Sequence, residues 1–447
     1  MRPLVLKPFF RLKGTLSFLG DKSIAHRAVI LSALSNSLTT IKNFPANKDC
    51  LATVSIFKQL GVKITRSKNK SPNITLRVFG KGLHGLKQPK KALFIEGSGT
   101  TLRLVLGILA AQNFKTKILA GKTLSLRPML RVTAPLRLMG AKINARRKPQ
   151  TGSREEYPPI TIQGGNLKPI TYRMPLASAQ VKSAILLAGL FAKGKTKIIE
   201  PIKTRDHTER MLKTFGLDIR VKKNIILING GKELKSPGKI FIPSDISSAA
   251  FFVCLAVISK NALVKIKNIS LNPTRIGFLD VLNRMNAKIQ VIRTRKVIWT
   301  TDEPMGDLIV NSSVLKGTVV KEKEIPSLID ELPILMVTAC FAKGKTIFQG
   351  VNELRVKETD RIRSMAENLS KMGAKIKLLK TKGREDIVIS GVKGLKGVKV
   401  KSFSDHRTAM SLVVAGLCAE GETEIDDISC IDKSFPNFLT VLASLRQ

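Results

Sequence analysis

Several short segments of this chain carry side chains that are costly to bury and wasted on a bare surface. They are "GDKSIAHR" (Gly20 to Arg27), "GSGTTLR" (Gly97 to Arg103), "LRPM" (Leu126 to Met129), "ASAQVKSA" (Ala177 to Ala184), "TRDHTER" (Thr204 to Arg210), "PSDISSAAF" (Pro243 to Phe251), "DELP" (Asp330 to Pro333), "RVKETDR" (Arg355 to Arg361), "DHR" (Asp405 to Arg407) and "KSFP" (Lys433 to Pro436). Most begin at, or just before, a predicted helix. Helix starts rich in Ser, Thr and Gly offer backbone N–H groups and the positive end of a dipole to anions, and a neighbouring Lys or Arg adds charge-assisted bonds. The set therefore points to phosphate and carboxylate ligands. Singly, each segment also has an ordinary reading: N-capping by Ser23, Asp245 or Ser404, and a plain turn at "GSGTT". "RVKETDR" is the least ordinary, because five charged residues share one predicted helical start, with Lys357 and Arg361 one turn apart. An i, i+4 ion-pair network on a solvated face is its other reading.

The four histidines, His26, His84, His207 and His406, lack the short spacing of a helix-borne zinc pair, so no metal site is expected. No Ser-His-acid order or Gly-x-Ser-x-Gly elbow occurs either. Each histidine is expected as a hydrogen-bonding partner, which leaves lysines and carboxylates as the acid/base groups. "GLFAKGKT" (Gly189 to Thr196) fits the phosphate-loop pattern. A phosphate loop needs a strand before the glycines and a helix after the Lys-Thr. Here an apolar helix comes first and the strand "TKIIE" follows, which argues against ATP and makes Gly194 and Lys195 a turn.

The elements that must carry these segments recur. One phrase appears as "FKQLGVKI", "LRLMGAKI", "LKTFGLDI", "LNRMNAKI" and "LSKMGAKI". Each reads as a helix end followed by a strand, with Gly, or Asn286, at the left-handed position just past the helix. A second phrase, a small-residue apolar helix, a turn and a β-branched strand, appears six times, its strand starts falling at Thr40, Thr116, Thr196, Val264, Thr346 and Thr423 with spacings of 68 to 82 residues. A repeat this long holds two helices and several strands, a small α/β unit rather than a solenoid rung.

Composition bounds the rest. At 447 residues with 43% hydrophobic content the chain is globular and long enough for two or three domains. Cys50, Cys254, Cys340, Cys418 and Cys430 form no Cys-x-x-Cys pair, which argues against a disulfide framework and for a reducing, cytoplasmic setting. The longest apolar runs fall short of the ~20 residues that span a bilayer, and the N-terminus lacks the apolar core of a signal peptide, so no membrane association is expected. The net charge of +45 raises the question of nucleic acid. The excess is spread along the chain, heaviest in "RSKNKSPNITLRV" and "INARRKPQTGSR", with few aromatics beside it to stack on bases. A cationic surface that attracts small anions is the other reading.

In this order, the motifs resemble those of the 5-enolpyruvylshikimate-3-phosphate synthase family over essentially the whole chain. "GDKSIAHRA", "ASAQVKSAILLAG", "RDHTERML", "DELPIL", "RVKETDRI", "DHRTAM" and "SFP" look like that family's signatures. The resemblance implies an α/β fold of two similar globules, each of three βαβαββ repeats (an inside-out α/β barrel of six repeats), with the active site in the cleft between them. The first globule would be 20–243, and the second 1–19 plus 244–447, completed by the N-terminal strand. The implied reaction transfers the enolpyruvyl group of phosphoenolpyruvate to the 5-hydroxyl of shikimate 3-phosphate, releasing phosphate by addition and then elimination. The family implies a monomer that needs no metal or organic cofactor.

Matched motif by motif, the resemblance gives Lys22 contact with both substrates and a shuttled proton. Gly99, Arg127, Arg361, Arg407 and Lys433 would grip phosphoenolpyruvate, and Gln180 would lie between the two substrates. Ser23, Arg27, Ser178, Ala179, Arg205 and Lys357 would hold shikimate 3-phosphate. Asp330 would accept the 5-hydroxyl proton, since a carboxylate beside several cations stays ionised, and Glu358 would protonate the methylene carbon and reverse that step. The sequence departs from the family at Leu19, Glu96-Gly97 and Lys122, where Pro, Gly-Asn and an acidic residue are usual. Loss of that Asn would alter affinity for phosphoenolpyruvate or its mimics. Two other readings stay open: an inactive homologue, and the enolpyruvyl transferase of this fold that acts on UDP-N-acetylglucosamine. The latter usually carries a cysteine that "LAGKTLSLRPM" lacks.

Overall fold

The computed structural model describes residues 2–9, 11–67, 73–147, 154–294, 302–381 and 383–445. Parts of both basic runs, 68–72 and 148–153, lie outside the described residues. Backbone contacts divide the chain into two compact units: residues 20–242 with Asp302 and Glu303, and residues up to Leu19 together with those from Pro243 onward. In chain order the first unit carries α1 (Lys22–Leu34), α2 (Lys48–Gln59), α3 (Gly99–Leu109), α4 (Leu130–Leu138), α5 (Ala179–Gly189) and α6 (His207–Thr214). The second carries α7 (Ile246–Ile258), α8 (Gly277–Arg284), α9 (Ile325–Leu328), α10 (Leu332–Cys340), α11 (Arg361–Lys371), α12 (His406–Leu417) and α13 (Phe438–Ala443).

The first long helix of each repeat is mostly small and apolar and is buried on nearly every side, which makes it a core element. Every residue of α10 and α12 is buried, and all of α3 except Thr100. Within the first unit α3 packs on α1 and α5; within the second α7, α10 and α12 pack on one another. Each unit so encloses its own hydrophobic core. The second helix of each repeat is two-faced: α11 buries Ile362, Met365 and Leu369 and turns Arg363 and Glu367 outward.

Around each helical core lie three small sheets. Leu38–Pro45 runs parallel to Lys239–Phe241 and antiparallel to Asn73–Phe79, which pairs antiparallel with Lys63–Arg66. Four more sheets repeat that pattern. One of them is completed by Arg11–Ser17, parallel to Asn261–Ser270. The last sheet has three strands, with Leu4–Leu6 antiparallel to Thr423–Ile425. The fold is thus the six-repeat α/β architecture, helices inside and sheets outside.

All five helix-end positions of the recurring phrase are left-handed: Gly61 (φ 88), Gly140 (φ 111), Gly216 (φ 81), Asn286 (φ 68) and Gly373 (φ 91). Two expectations shift. The strand start equivalent to Thr116 is Thr39, not Thr40; Thr39 is wholly buried and hydrogen-bonded to Ser236, and the period-2 alternation turns Thr40 the other way. Gly194 and Lys195 are not the turn but the first residues of strand Gly194–Ile199, paired with Gly230 and Asn229. With α5 before that strand, no phosphate loop forms.

In the second unit Phe18, Phe252, Phe435 and Phe438 pack ring against ring, with centroids 5.1 Å apart for Phe18–Phe252 and 5.4 Å for Phe252–Phe438. The cluster ties an N-terminal and a C-terminal segment to α7. Phe252→Ala should therefore cost about 3–5 kcal/mol in denaturant unfolding followed by circular dichroism. A loss below ~1 kcal/mol, the size of an ordinary surface effect, would mean that the cluster does not hold those segments.

Candidate active site

In the first unit the predicted residues sit at helix starts whose N–H groups are only partly capped. Asp21, not Ser23, caps α1 by accepting from the Ile24 N–H at 2.9 Å. That leaves Lys22 and Ser23 in the first turn. Lys22 Nζ meets Asp49 Oδ2, from the start of α2, at 3.0 Å. Arg27, one turn further, is 4% exposed, and its Nε, Nη1 and Nη2 donate to Thr208 Oγ1 (2.7 Å), the Ser23 carbonyl (2.8 Å) and Ser183 Oγ (2.8 Å). Burial pushes the Arg27 guanidinium down to about 10, against the pull of Glu209 and Asp21. Arg27 therefore joins the starts of α1, α5 and α6. Arg205 lies two residues before α6, half-buried.

"GSGTT" is not a turn but the start of α3, where Ser98 Oγ accepts from the Thr101 N–H. Gly99 is needed there for close approach: a methyl group on it would lie 2.7 Å from Arg127 Nη1. Ser178 caps α5 in the same way, with Ala179 and Gln180 following. The Gln180 carboxamide is fixed at both ends, accepting from Arg103 Nη1 and donating to Thr100 Oγ1 at 2.9 Å. Arg103 Nη2 also donates to the Pro128 carbonyl at 3.2 Å, so the segment beside Arg127 is tied to α3. His26 is buried, its imidazole pushed down to about 3 by burial, and it bonds Thr53 at 2.7 Å. His207 bonds Glu303 at 2.6 Å, whereas His84 makes a ring contact with Phe191.

In the second unit "RVKETDR" is not one helical start. A 3₁₀ turn covers Asn352–Val356, and α11 begins only at Arg361, with Asp360 accepting from the Arg363 N–H. Arg355 forks onto Glu385 (2.7 and 3.0 Å) and reaches Asp360 at 2.5 Å, which holds the intervening loop. Lys357 thus faces Glu353 at 3.4 Å rather than standing one helical turn below Arg361. Burial holds its ammonium below the ordinary lysine range, in spite of Glu353 and Asp330.

Arg361 is the centre of this set. It is 1% exposed; Nε donates to Asp405 at 2.9 Å and Nη2 to Glu358 at 2.6 Å. Burial opposes its charge, but Asp405, Glu358 and Asp330 hold the guanidinium above its usual value. Its Nη1 makes no hydrogen bond among the described residues, and Asp330 Oδ1 stands 3.7 Å away. Arg407 donates from Nη1 to the Asp330 carbonyl at 2.7 Å, with Nη2 3.5 Å from Asp330 Oδ2. Asp405, not Ser404, caps α12; Ser404 precedes it with φ 55. Lys433 closes the turn Ser429–Lys433 as an exposed side chain, anchored by buried Phe435. Among the described residues no group of three His, Cys, Asp or Glu side chains could hold a metal ion, and no helix is long and apolar enough to cross a membrane.

Sequence reasoning gave no role to Asp49, Arg103, Arg355, Glu331 or Asp405. The last four lie inside the quoted segments. Asp49 was signalled only by Asn47 two residues before it, which caps α2. At the departures, the Glu96 carboxylate lies over Gly121, Lys122 is exposed, and a side chain added at Gly97 would meet nothing within 4 Å.

Six like repeats in two units, with partly capped helix starts set among arginines and carboxylates, define an α/β protein built to handle small anions. The family model of EPSP synthase (3-phosphoshikimate 1-carboxyvinyltransferase) matches residues 6–442. The 3-phosphoshikimate 1-carboxyvinyltransferases of Shouchella clausii and Desulforamulus reducens are each 44% identical to it, over 97% and 98% of both chains respectively. The EPSP synthase of Acinetobacter baumannii superposes with a TM-score of 0.85 at 40% identity, covering 100% of this chain and 98% of that one. The chain belongs to the EPSP synthase family.

The contact at Gly99 gives a direct expectation. Gly99→Ala should fold normally, because the nearest atom is the end of a flexible side chain, yet displace Arg127. If Arg127 grips phosphoenolpyruvate, as the resemblance implies, the KM for that substrate should rise by about tenfold, the size of one charge-assisted bond, with that for shikimate 3-phosphate unchanged. An unchanged phosphoenolpyruvate KM would separate Arg127 from that substrate.

Proposed function

We propose that this chain transfers the enolpyruvyl group of phosphoenolpyruvate to the 5-hydroxyl of shikimate 3-phosphate, and so serves chorismate and aromatic amino acid biosynthesis. The observation that carries the reading is the buried Arg361 guanidinium, held by Asp405 and Glu358 with Nη1 left as an open donor beside Asp330. A buried cation with one unoccupied donor is a ready partner for a substrate carboxylate or phosphate.

The chemistry balances as proton transfers. In the addition, the 5-hydroxyl oxygen bonds to C2 of phosphoenolpyruvate, its proton passes to Asp330, and C3 becomes a methyl group with a proton from Glu358. In the elimination, Glu358 takes a proton back from that methyl group, the C2–O bond to phosphate breaks, and the proton held by Asp330 leaves with the phosphate, Lys22 acting as shuttle. Lys22, Gly99, Arg127, Gln180, Arg361, Arg407 and Lys433 bind phosphoenolpyruvate. Ser23, Arg27, Ser178, Ala179, Arg205 and Lys357 bind shikimate 3-phosphate, with Lys22 and Gln180 shared. The working form is a monomer in the cytoplasm, a setting that suits the free cysteines.

The test is phosphate release from phosphoenolpyruvate with shikimate 3-phosphate or UDP-N-acetylglucosamine as acceptor. Release that requires shikimate 3-phosphate is expected. Silence with both acceptors from folded protein would sink the reading in favour of an inactive homologue. Lys22→Met should fold and lose at least about 100-fold in kcat, the scale of a lost proton-transfer group; unchanged kinetics would remove Lys22 from the reaction.

A pH dependence follows from Lys357. Its pKa is lowered, so it loses its charge at a lower pH than an ordinary lysine, and the grip on shikimate 3-phosphate weakens as pH climbs through that lowered value. The KM for shikimate 3-phosphate should rise on the alkaline side, and Lys357→Arg, which stays charged, should flatten that limb. An identical alkaline rise in both proteins would show that another group titrates.

A further inference from the structure

Glu331 follows the proposed base in sequence and is wholly buried. A buried carboxylate is costly unless paired, and here the partners are specific. Its Oε1 accepts from Ser247 Oγ, whose lone pair in turn accepts from Arg275 Nη2. The same Oε1 lies 3.9 Å from Arg407 Nη1, the nitrogen that also donates to the Asp330 carbonyl at 2.7 Å. Glu331 is thus anchored on one side through Ser247 to Arg275, which is 2% exposed, and faces Arg407 on the other. Two consecutive residues, 330 and 331, hold one nitrogen of Arg407, while Nη2 stays 3.5 Å from the Asp330 carboxylate.

We propose that Glu331 is a positioning residue that keeps the Arg407 guanidinium turned toward phosphoenolpyruvate. It does so by pinning Nη1 against the backbone, so that the group does not rotate to close fully on the Asp330 carboxylate. The inference rests on the reading that Arg407 grips phosphoenolpyruvate. Removing the Glu331 charge frees that rotation, which takes a donor from phosphoenolpyruvate and leaves the contacts of shikimate 3-phosphate intact.

The experiment compares Glu331→Gln, Arg407→Lys and the double variant, reading kcat, both KM values and the thermal midpoint. Glu331→Gln keeps the shape and an acceptor for Ser247. It should raise the KM for phosphoenolpyruvate by about tenfold, the size of one charge-assisted contact, with that for shikimate 3-phosphate within about twofold. In the Arg407→Lys background it should add nothing, since the partner it acts through is gone. A rise of both KM values together, or an equal effect with and without Arg407, would overturn the proposal and leave Glu331 a purely structural group. If Arg407→Lys raises the phosphoenolpyruvate KM and Glu331→Gln does not, the proposal fails while the reading of Arg407 survives. If Arg407→Lys changes nothing, both fail. Should Glu331→Gln not fold, Glu331→Asp, which retracts the carboxylate, must show a smaller rise confined to phosphoenolpyruvate, and its absence overturns the proposal equally.

Discussion

A helix buried on every side keeps only its ends for chemistry, and the architecture depends on that constraint. Each unit is built around three such helices, so each has three sets of first-turn N–H groups that the core cannot satisfy. Asp21, Ser98, Ser178, Asp245 and Asp405 each cap one helix and occupy one or two of those donors. Lys22, Gly99, Gln180 and Arg407 emerge in the first turns of four of these helices. The sixth helix, α10, has no side-chain cap. It begins Leu332-Pro333, and proline removes one donor that would need a partner. The residue at its cap position, Glu331, is free of capping duty and turns to Ser247 instead.

The second constraint is charge inside a low-dielectric interior. Arg361 and Arg407 are nearly inaccessible, and each is paired with carboxylates, Arg361 with Asp405, Glu358 and Asp330 and Arg407 with Asp330 and Glu331. Leaving either arginine buried without them would cost several kcal/mol. The +45 excess therefore lies outside these clusters, and the sheets carry much of it on the solvent side. The strand Lys375–Thr381, at a sheet edge, exposes Lys375, Lys377 and Lys380 beside exposed Leu378 and Leu379. Lysines in that position discourage edge-to-edge pairing. They also surround the protein with a field that attracts small anions at long range.

Local features were legible in the sequence because their causes are local. The left-handed residue that ends a helix must be Gly or Asn, so Gly61, Gly140, Gly216, Asn286 and Gly373 marked the repeat without a structure. An apolar run followed by a β-branched run separated α5 from its strand and removed the phosphate loop. What failed needed one more competing interaction. Ser23 lost the cap to Asp21, and Ser404 to Asp405, because the carboxylate one or two residues away reaches the same N–H groups. "RVKETDR" broke because Arg355 finds Glu385, 30 residues on, and Asp360 caps the helix after the break. Such pairs leave no trace in spacing: Arg27 and Thr208 are 181 positions apart, and Lys22 and Asp49 are 27.

That distinction also sorts the cations by what each is able to do. Arg27 has every nitrogen engaged, and two of its three partners are side-chain hydroxyls on α5 and α6. A ligand that took Arg27 over would have to leave Ser183 and Thr208 unpaired in a buried place, a loss of ~1–3 kcal/mol for each group. Arg27 thus fixes its neighbours, and a ligand there would add to these bonds through the second N–H of Nη1 or Nη2 rather than replace them. Arg361 is as deeply buried but is engaged at only two nitrogens, and the third points toward Asp330 without reaching it. A substrate carboxylate arriving there fills an unmade bond rather than breaking a made one. Equal charge and near-equal burial thus leave Arg27 engaged at every nitrogen and Arg361 with Nη1 unbonded among the described residues.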